Sequence, residues 1–167
     1  MVNLVFGEDE QKAREDMMEF IKNEFPSITS LHYTVNRKFN DSLGDQHPVL
    51  YHGNAFAIEQ LGGLKFKVGP KSSFQTNSTQ AEQLYQITKD FAELKGTEIV
   101  YDLYCGTGSI GIFVSDKAAK VIGVEVINEA IDDAHENATM NDIDNTLFYA
   151  GDVADICNNV KDTLEPL

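Results

Sequence analysis

Cysteine is scarce in this 167-residue chain, with only Cys105 and Cys157. Two thiols are too few for a disulfide framework or a four-thiolate metal site. The four histidines, His32, His47, His52 and His135, show no pairing at ligand spacing, so no metal ligands are expected. No apolar run approaches the ~20 residues needed to cross a bilayer. The start, Met1 to Glu8, lacks the basic opening and long apolar core of a signal peptide. The expectation is a cytoplasmic protein without a membrane partner. Basic residues are few as well: 13 Lys+Arg face 27 Asp+Glu, a net charge of −14. Residues 71–167 are the more acidic part, with 6 basic against 17 acidic side chains. Nucleic-acid binders normally present a basic face. None is visible here, so charge taken alone argues against nucleic acid as a partner of this piece.

What is present fits a globular chain: 42% apolar and 24% charged residues, enough for one sizeable domain or two small ones. Glu8 to Glu24 reads as a helix, with Ala13, Met17, Phe20 and Ile21 on one face and Pro26 as its stop. Leu31, Tyr33 and Val35 alternate with polar residues, the pattern of a half-buried strand. Asn40 to Asp45 is turn-rich. Val49–Tyr51, Ala55–Ile58 and Leu64–Val68 read as three further strands, with Gly62-Gly63 as a tight turn. Residues 1–69 are therefore expected to form an α+β subdomain with an antiparallel sheet, and Gly69-Pro70 marks the boundary.

Residues 70–167 follow another rule. Asn77 to Gln80 looks like a helix start, Thr79 and Glu82 fit a capping box, and Gly96 ends the helix. Strands at Glu98–Tyr104, Val121–Val126 and Thr146–Ala150 then alternate with helices at Ile110–Ala119 and from an Asn128 cap to about Asn141. Such alternation implies a parallel sheet covered by helices. The expected class is α/β, a partial Rossmann-like domain behind the small α+β segment.

Ligands of parallel sheets bind at the carboxyl ends of the strands. The first end carries Gly106-Thr107-Gly108-Ser109-Ile110-Gly111, a literal G-x-G-x-x-G. The second ends in Glu125, and the third is followed by Asp152. A dinucleotide site would seat a pyrophosphate on the helix start and a ribose on Glu125, as in a nicotinamide-dependent oxidoreductase. Asp102, four residues ahead of the first glycine, opposes that reading, because a carboxylate there repels a diphosphate. Three acids suit S-adenosylmethionine better: its ribose hydroxyls and adenine amine donate hydrogen bonds, and its sulfonium is positive. A non-catalytic binding module is the third possibility.

Several segments identify a family by resemblance. Lys71 to Asn77 with its Phe74-Gln75-Thr76-Asn77 core, Gln80-Ala81-Glu82, Leu84-Tyr85, Asp102 to Gly108, Gly123-Val124-Glu125, Glu129-Ala130-Ile131, Asn137 to Asn141 and Phe148 to Asp152 resemble the RNA 5-methyluridine methyltransferases. These enzymes use S-adenosylmethionine to methylate uracil C5 in ribosomal or transfer RNA. The resemblance covers about residues 64–155. It implies that Gln75 reaches the cofactor, Tyr104 borders its methionine end, and Gly106, Gly108 and Ser109 form the loop around the methionine portion. Glu125 would accept from the ribose hydroxyls and Asp152 would lie beside the adenine. Asp102 completes the cofactor set. In the family a cysteine thiolate adds to uracil C6 and a base later removes the C5 proton. Those groups follow the fourth strand, beyond Leu167. No catalytic residue is thus expected in this chain, which would be an inactive piece of a larger RNA-binding enzyme. The family's RNA-binding barrel and the iron–sulfur cysteines of some members are also not in it. Cys105 and Cys157 are expected to be packing residues. Ending after three strands leaves a sheet edge open, so self-association is expected.

Overall fold

A computed structural model describes residues 1–38, 45–72 and 74–159, apart from the side chains of Cys157 and Asn159. The expected turn at 40–45 falls largely outside the described residues. The chain divides into two compact units: Met1–Ile58 with Val68–Lys71, and Glu59–Lys67 with the described part of Ser72–Leu167.

The first unit is a βαβ unit with one added strand. β1 (Val2–Phe6) leads through α1 (Gln11–Glu24) to β2 (Ser30–Val35), and β3 (Val49–Gly53) follows. β2 is central, parallel to β1 and antiparallel to β3. The sheet is therefore mixed, because β1, unmarked in the sequence pattern, joins in parallel after the helical crossover. Its burial also extends to the face expected to be exposed. Ser30, His32 and Thr34 are 0%, 3% and 1% exposed, while Tyr33 and Val35 are only partly buried. Neighbouring polar groups make this possible. Thr34 Oγ1 donates to Asn3 Oδ1 at 3.1 Å, and Ser30 Oγ lies 3.4 Å from His32 Nδ1. Met18 of α1 and Leu31 supply fully buried apolar packing.

A hairpin of β4 (Ala57–Leu61) and β5 (Leu64–Val68) turns at Gly62 and Gly63, both with positive φ, +59° and +82°. Two left-handed residues in sequence are what a two-residue hairpin turn demands. Most of the hairpin belongs to the second unit, where backbone groups of Lys65 and Lys67 bond to asparagines of a later helix.

In that unit α2 (Ser78–Ala92) starts from Asn77, whose side chain accepts from the Gln80 N–H at 3.1 Å. Asn77, not Thr79, is the cap, and Glu82 instead accepts from the Gly62 N–H at 3.0 Å. The helix ends one turn before Gly96, at Glu93 in the left-handed region. Then come β6 (Ile99–Leu103), α3 (Ser109–Val114) with a short 3₁₀ turn, β7 (Lys120–Glu125), α4 (Asn128–Met140), β8 (Thr146–Ala150) and α5 (Val153–Asn159). The strands run parallel in the order β6-β7-β8. Val121, Ile122 and Val124 of the central strand are buried, and Val121 joins a core that includes Phe66, Ala81, Tyr85, Ile112 and Phe148. Three parallel strands with covering helices make this half of the chain a partial Rossmann-like domain.

Candidate functional site

The loop from Tyr104 to Gly108 leaves β6 and turns back into α3. Tyr104 has φ +62° and is 75% exposed, Gly106 has φ +55° and Gly108 has φ +74°. A non-glycine residue in the left-handed region is uncommon and is sustained only by its surroundings. Three backbone ties hold the loop. The Cys105 N–H donates to the Val124 carbonyl at 3.0 Å, the Gly106 N–H to Glu125 Oε2 at 3.2 Å, and the Gly108 N–H to the Cys105 carbonyl at 2.9 Å.

The glycines of this loop do different work. A Cβ on Gly106 would meet nothing within 4 Å, so its backbone faces open space. A Cβ on Gly108 would lie 2.8 Å from the Phe148 ring and 3.1 Å from the Ala134 Cβ. On Gly111 it would lie 2.9 Å from Val121 and 3.0 Å from Asp102 Oδ2. Gly106 is thus the glycine with room for a ligand, whereas Gly108 and Gly111 allow helix and strand to close on one another. Gly123 of β7 belongs to the same set, its missing Cβ 2.4 Å from the Phe148 ring and 2.9 Å from Cys105 Sγ. Phe148, which sequence reasoning assigned no role, is the ring around which the platform is built.

Each predicted acid is engaged differently. Glu125 stands at the end of β7 and links two elements: Oε2 accepts from Gly106, and Oε1 accepts from the Ile127 N–H at 3.1 Å ahead of α4. Asp102 Oδ2 accepts from the Gly111 N–H at 2.8 Å. Burial pushes its carboxyl above the usual carboxylate range, and the Gly111 bond partly offsets this. Asp152 is exposed and caps α5, with Oδ1 accepting from Ala154 at 2.8 Å and Asp155 at 3.3 Å. The β7 and β8 ends are joined by the Gly151 N–H to the Glu125 carbonyl at 2.9 Å.

Ser109 opens α3, and its hydroxyl is 2.9 Å from the Tyr85 hydroxyl. Gln75 is exposed in the segment before α2. That segment is pinned on both sides: the Phe74 ring packs 5.7 Å from Phe66, and Ser72 Oγ donates to Asp133 Oδ2 at 3.1 Å. Asp133 also pairs with Lys67 at 3.1 Å. The structure therefore joins Asp102, Gly106, Gly108, Ser109 and Glu125 around one loop. Among the described residues no hydrogen bond ties Gln75 or Asp152 to that loop.

Cys105 is buried under the loop. Burial first, then the nearby Asp102 and Glu125 charges, push its thiol up to about 12. Nucleophilic cysteines need the opposite shift, so this setting favours a packing role for Cys105. The Cys157 side chain lies outside the described residues.

Residues 94–164 match the methyltransferase domain family. Over 159 residues the chain is 54% identical to an uncharacterized RNA methyltransferase of Porphyromonas gingivalis, covering 95% of this chain and 34% of that protein. An uncharacterized RNA methyltransferase of Bacteroides thetaiotaomicron is 50% identical over 147 residues, covering 88% of this chain and 32% of the relative. A tRNA (uracil-54, C5)-methyltransferase of Pyrococcus abyssi, solved with S-adenosyl-L-homocysteine, superposes with a TM-score of 0.64 at 29% identity, over 78% of this chain and 32% of that one. The chain spans about a third of the length of these relatives. It carries part of a class I methyltransferase fold and has bacterial RNA methyltransferases as homologues.

Proposed function

We propose that this chain binds S-adenosylmethionine across the carboxyl ends of β6, β7 and β8. As part of a larger cytoplasmic enzyme it would serve the formation of 5-methyluridine in ribosomal or transfer RNA. The observation that carries the binding reading is the Glu125–Gly106 link. It sets a strand-end carboxylate at 3.2 Å from a left-handed loop residue whose outer side is open. Each Glu125 oxygen accepts one backbone N–H and keeps a lone pair for a ribose hydroxyl.

S-adenosylmethionine supplies a methyl group activated on a positive sulfur. The chain's own residues bind and orient it. Glu125 accepts from the ribose, and Gly106 gives the backbone close approach, with Gly108 and Ser109 shaping the loop. Tyr104 covers the methionine end and Gln75 reaches in from the segment anchored by Phe74. Asp152 lies beside the adenine while capping α5. Asp102 sits beneath the loop, where a bound cation offsets the cost of burying its charge.

A dinucleotide fits less well. It needs the second glycine open to a pyrophosphate, and the Cβ direction of Gly108 is filled by Phe148 and Ala134. The uracil reading is supported by the Phe74-Gln75-Thr76-Asn77 segment and by similarity to the uracil-54 enzyme. RNA contacts of the whole protein would lie mainly outside this acidic chain, and the chain alone is expected to methylate no RNA, a reading supported by the burial that pushes the Cys105 thiol up, away from uracil addition. β6 pairs with β7 on one side and with no strand on the other among the described residues. Self-association through that edge is part of the proposal.

Calorimetry with S-adenosylhomocysteine and NAD decides the first point. The chain is expected to bind the former and not the latter, and Glu125→Ala to weaken binding about tenfold or more, as loss of charge-assisted hydrogen bonds does. NAD binding, or binding of neither, overturns the reading. Transfer of labelled methyl to uridine by the chain alone overturns the inactivity, and a monodisperse monomer at high concentration in sedimentation overturns the self-association.

A further inference from the structure

Asn137 lies in the middle of α4 and is fully buried. Its carboxamide is used at both ends. Nδ2 donates to the Thr107 carbonyl at 3.1 Å, and Oδ1 accepts from the Lys67 N–H of β5 at 2.7 Å. One turn later Asn141 makes a related tie, and its Nδ2 also donates to the Asn137 carbonyl at 2.8 Å. Its Oδ1 accepts from the Lys65 N–H at 2.8 Å, and its Nδ2 donates to the Lys65 carbonyl at 2.7 Å. Both asparagines stitch the hairpin to α4, but only Asn137 also reaches the loop. Thr107 is itself buried, and its hydroxyl has no hydrogen-bond partner among the described residues. The bond to its carbonyl therefore anchors a loop residue that its own side chain leaves untethered.

We infer that Asn137 is a positioning residue for the cofactor loop. It holds the Thr107 peptide from below, while Val124 and Glu125 hold Cys105 and Gly106 from the β7 side. The ligand part of this inference rests on the S-adenosylmethionine reading. The loop part does not.

Asn137→Asp isolates the loop bond. An aspartate keeps the acceptor for Lys67 but, once ionised, has no donor for Thr107. When protonated it regains an O–H that can donate to the Thr107 carbonyl. Burial raises a carboxyl pKa, so the donor is present at low pH and lost as pH rises. Asn141→Ala is the control that weakens the hairpin tie and leaves the loop bond. Asn137→Ser, neutral and too short to span the gap, serves if the aspartate variant does not fold.

The measurements are amide hydrogen exchange of residues 104–108 in the ligand-free chain and S-adenosylhomocysteine affinity by calorimetry between pH 5.5 and 8.5. Asn137→Asp is expected to speed exchange in the loop and to weaken affinity about tenfold at the upper pH, consistent with leaving a buried carbonyl unpaired. Both effects shrink towards the lower pH. Asn137→Ser shows them without pH dependence. Asn141→Ala lowers the melting temperature but leaves loop exchange and affinity within about twofold of the unaltered chain. Unchanged loop exchange in both Asn137 variants, or an Asn141→Ala variant that matches them, overturns the inference. An unaltered chain that binds no S-adenosylhomocysteine overturns the ligand reading, and loop exchange still decides the positioning role.

Discussion

The central strands of the two three-stranded sheets occupy the same topological place and are buried in opposite ways. β7 buries Val121, Ile122 and Val124, and its Gly123 leaves space for Phe148. β2 buries Leu31 but also Ser30, His32 and Thr34. An apolar strand between covered faces needs no partners and gives a stiff, close-packed platform. A polar strand in that place needs its hydroxyls and imidazole answered, as Asn3 answers Thr34. The binding loop is built on the apolar platform, where packing sets position. The polar sheet instead carries His32, whose charging burial disfavours.

The most severe way to break this contrast is to fill the platform. Gly123→Ala places a methyl group 2.4 Å from the Phe148 ring. Such overpacking costs about 1–3 kcal/mol, which denaturant unfolding should register, and S-adenosylhomocysteine binding should fall with it. Adding Phe148→Leu should return part of both. An alanine variant as stable as the parent would mean that the ring is not the limiting contact.

A gentler probe is acid. His32 has its pKa lowered from 6.5, chiefly by burial. Between the folded-state value and 6.5 the unfolded chain binds more protons than the folded one. This contribution to stability is complete above 6.5 and is lost as pH falls through the folded value. Exchange protection in β1–β3 should therefore decline on acidification, and His32→Gln should remove that slope. A slope of equal size retained in the variant would assign it to other groups.

The smallest effect concerns Cys105. With its thiol pushed up to about 12, only roughly one molecule in ten thousand carries the thiolate at pH 8. Folded chain should resist iodoacetamide at this residue and react after denaturation, as peptide mass mapping can follow. Rapid modification of the folded chain would contradict the buried setting.

Much of the second unit was legible because its periodicities agree with its packing. β8 occupies Thr146–Ala150 as expected, and β6 and β7 differ from their expected spans by a residue or so at each end. α3 runs only to Val114 before giving way to a 3₁₀ turn, and Asn128 is the first residue of α4, not its cap. Such ends follow local hydrogen bonding, which side-chain patterns register weakly. β1 and the buried polar face of β2 were not legible. Alternation marks two faces, but which of them is covered depends on neighbours contributed from elsewhere in the chain. In the site, Gly106 and Glu125 could be read from their place at strand ends. The pairing of Gly108 and Gly123 with Phe148 could not, since it joins residues 25 and 40 positions apart through one aromatic ring.

By itself the sequence determined the alternating class of the second unit, the acids at its strand ends and the resemblance to RNA methyltransferases, because local periodicity and short motifs are written along the chain. Only tertiary structure decided which glycine faces open space, that Asp152 caps a helix and that Asn137 reaches the loop. Each of those depends on distances and burial between segments far apart in sequence, which no local pattern encodes.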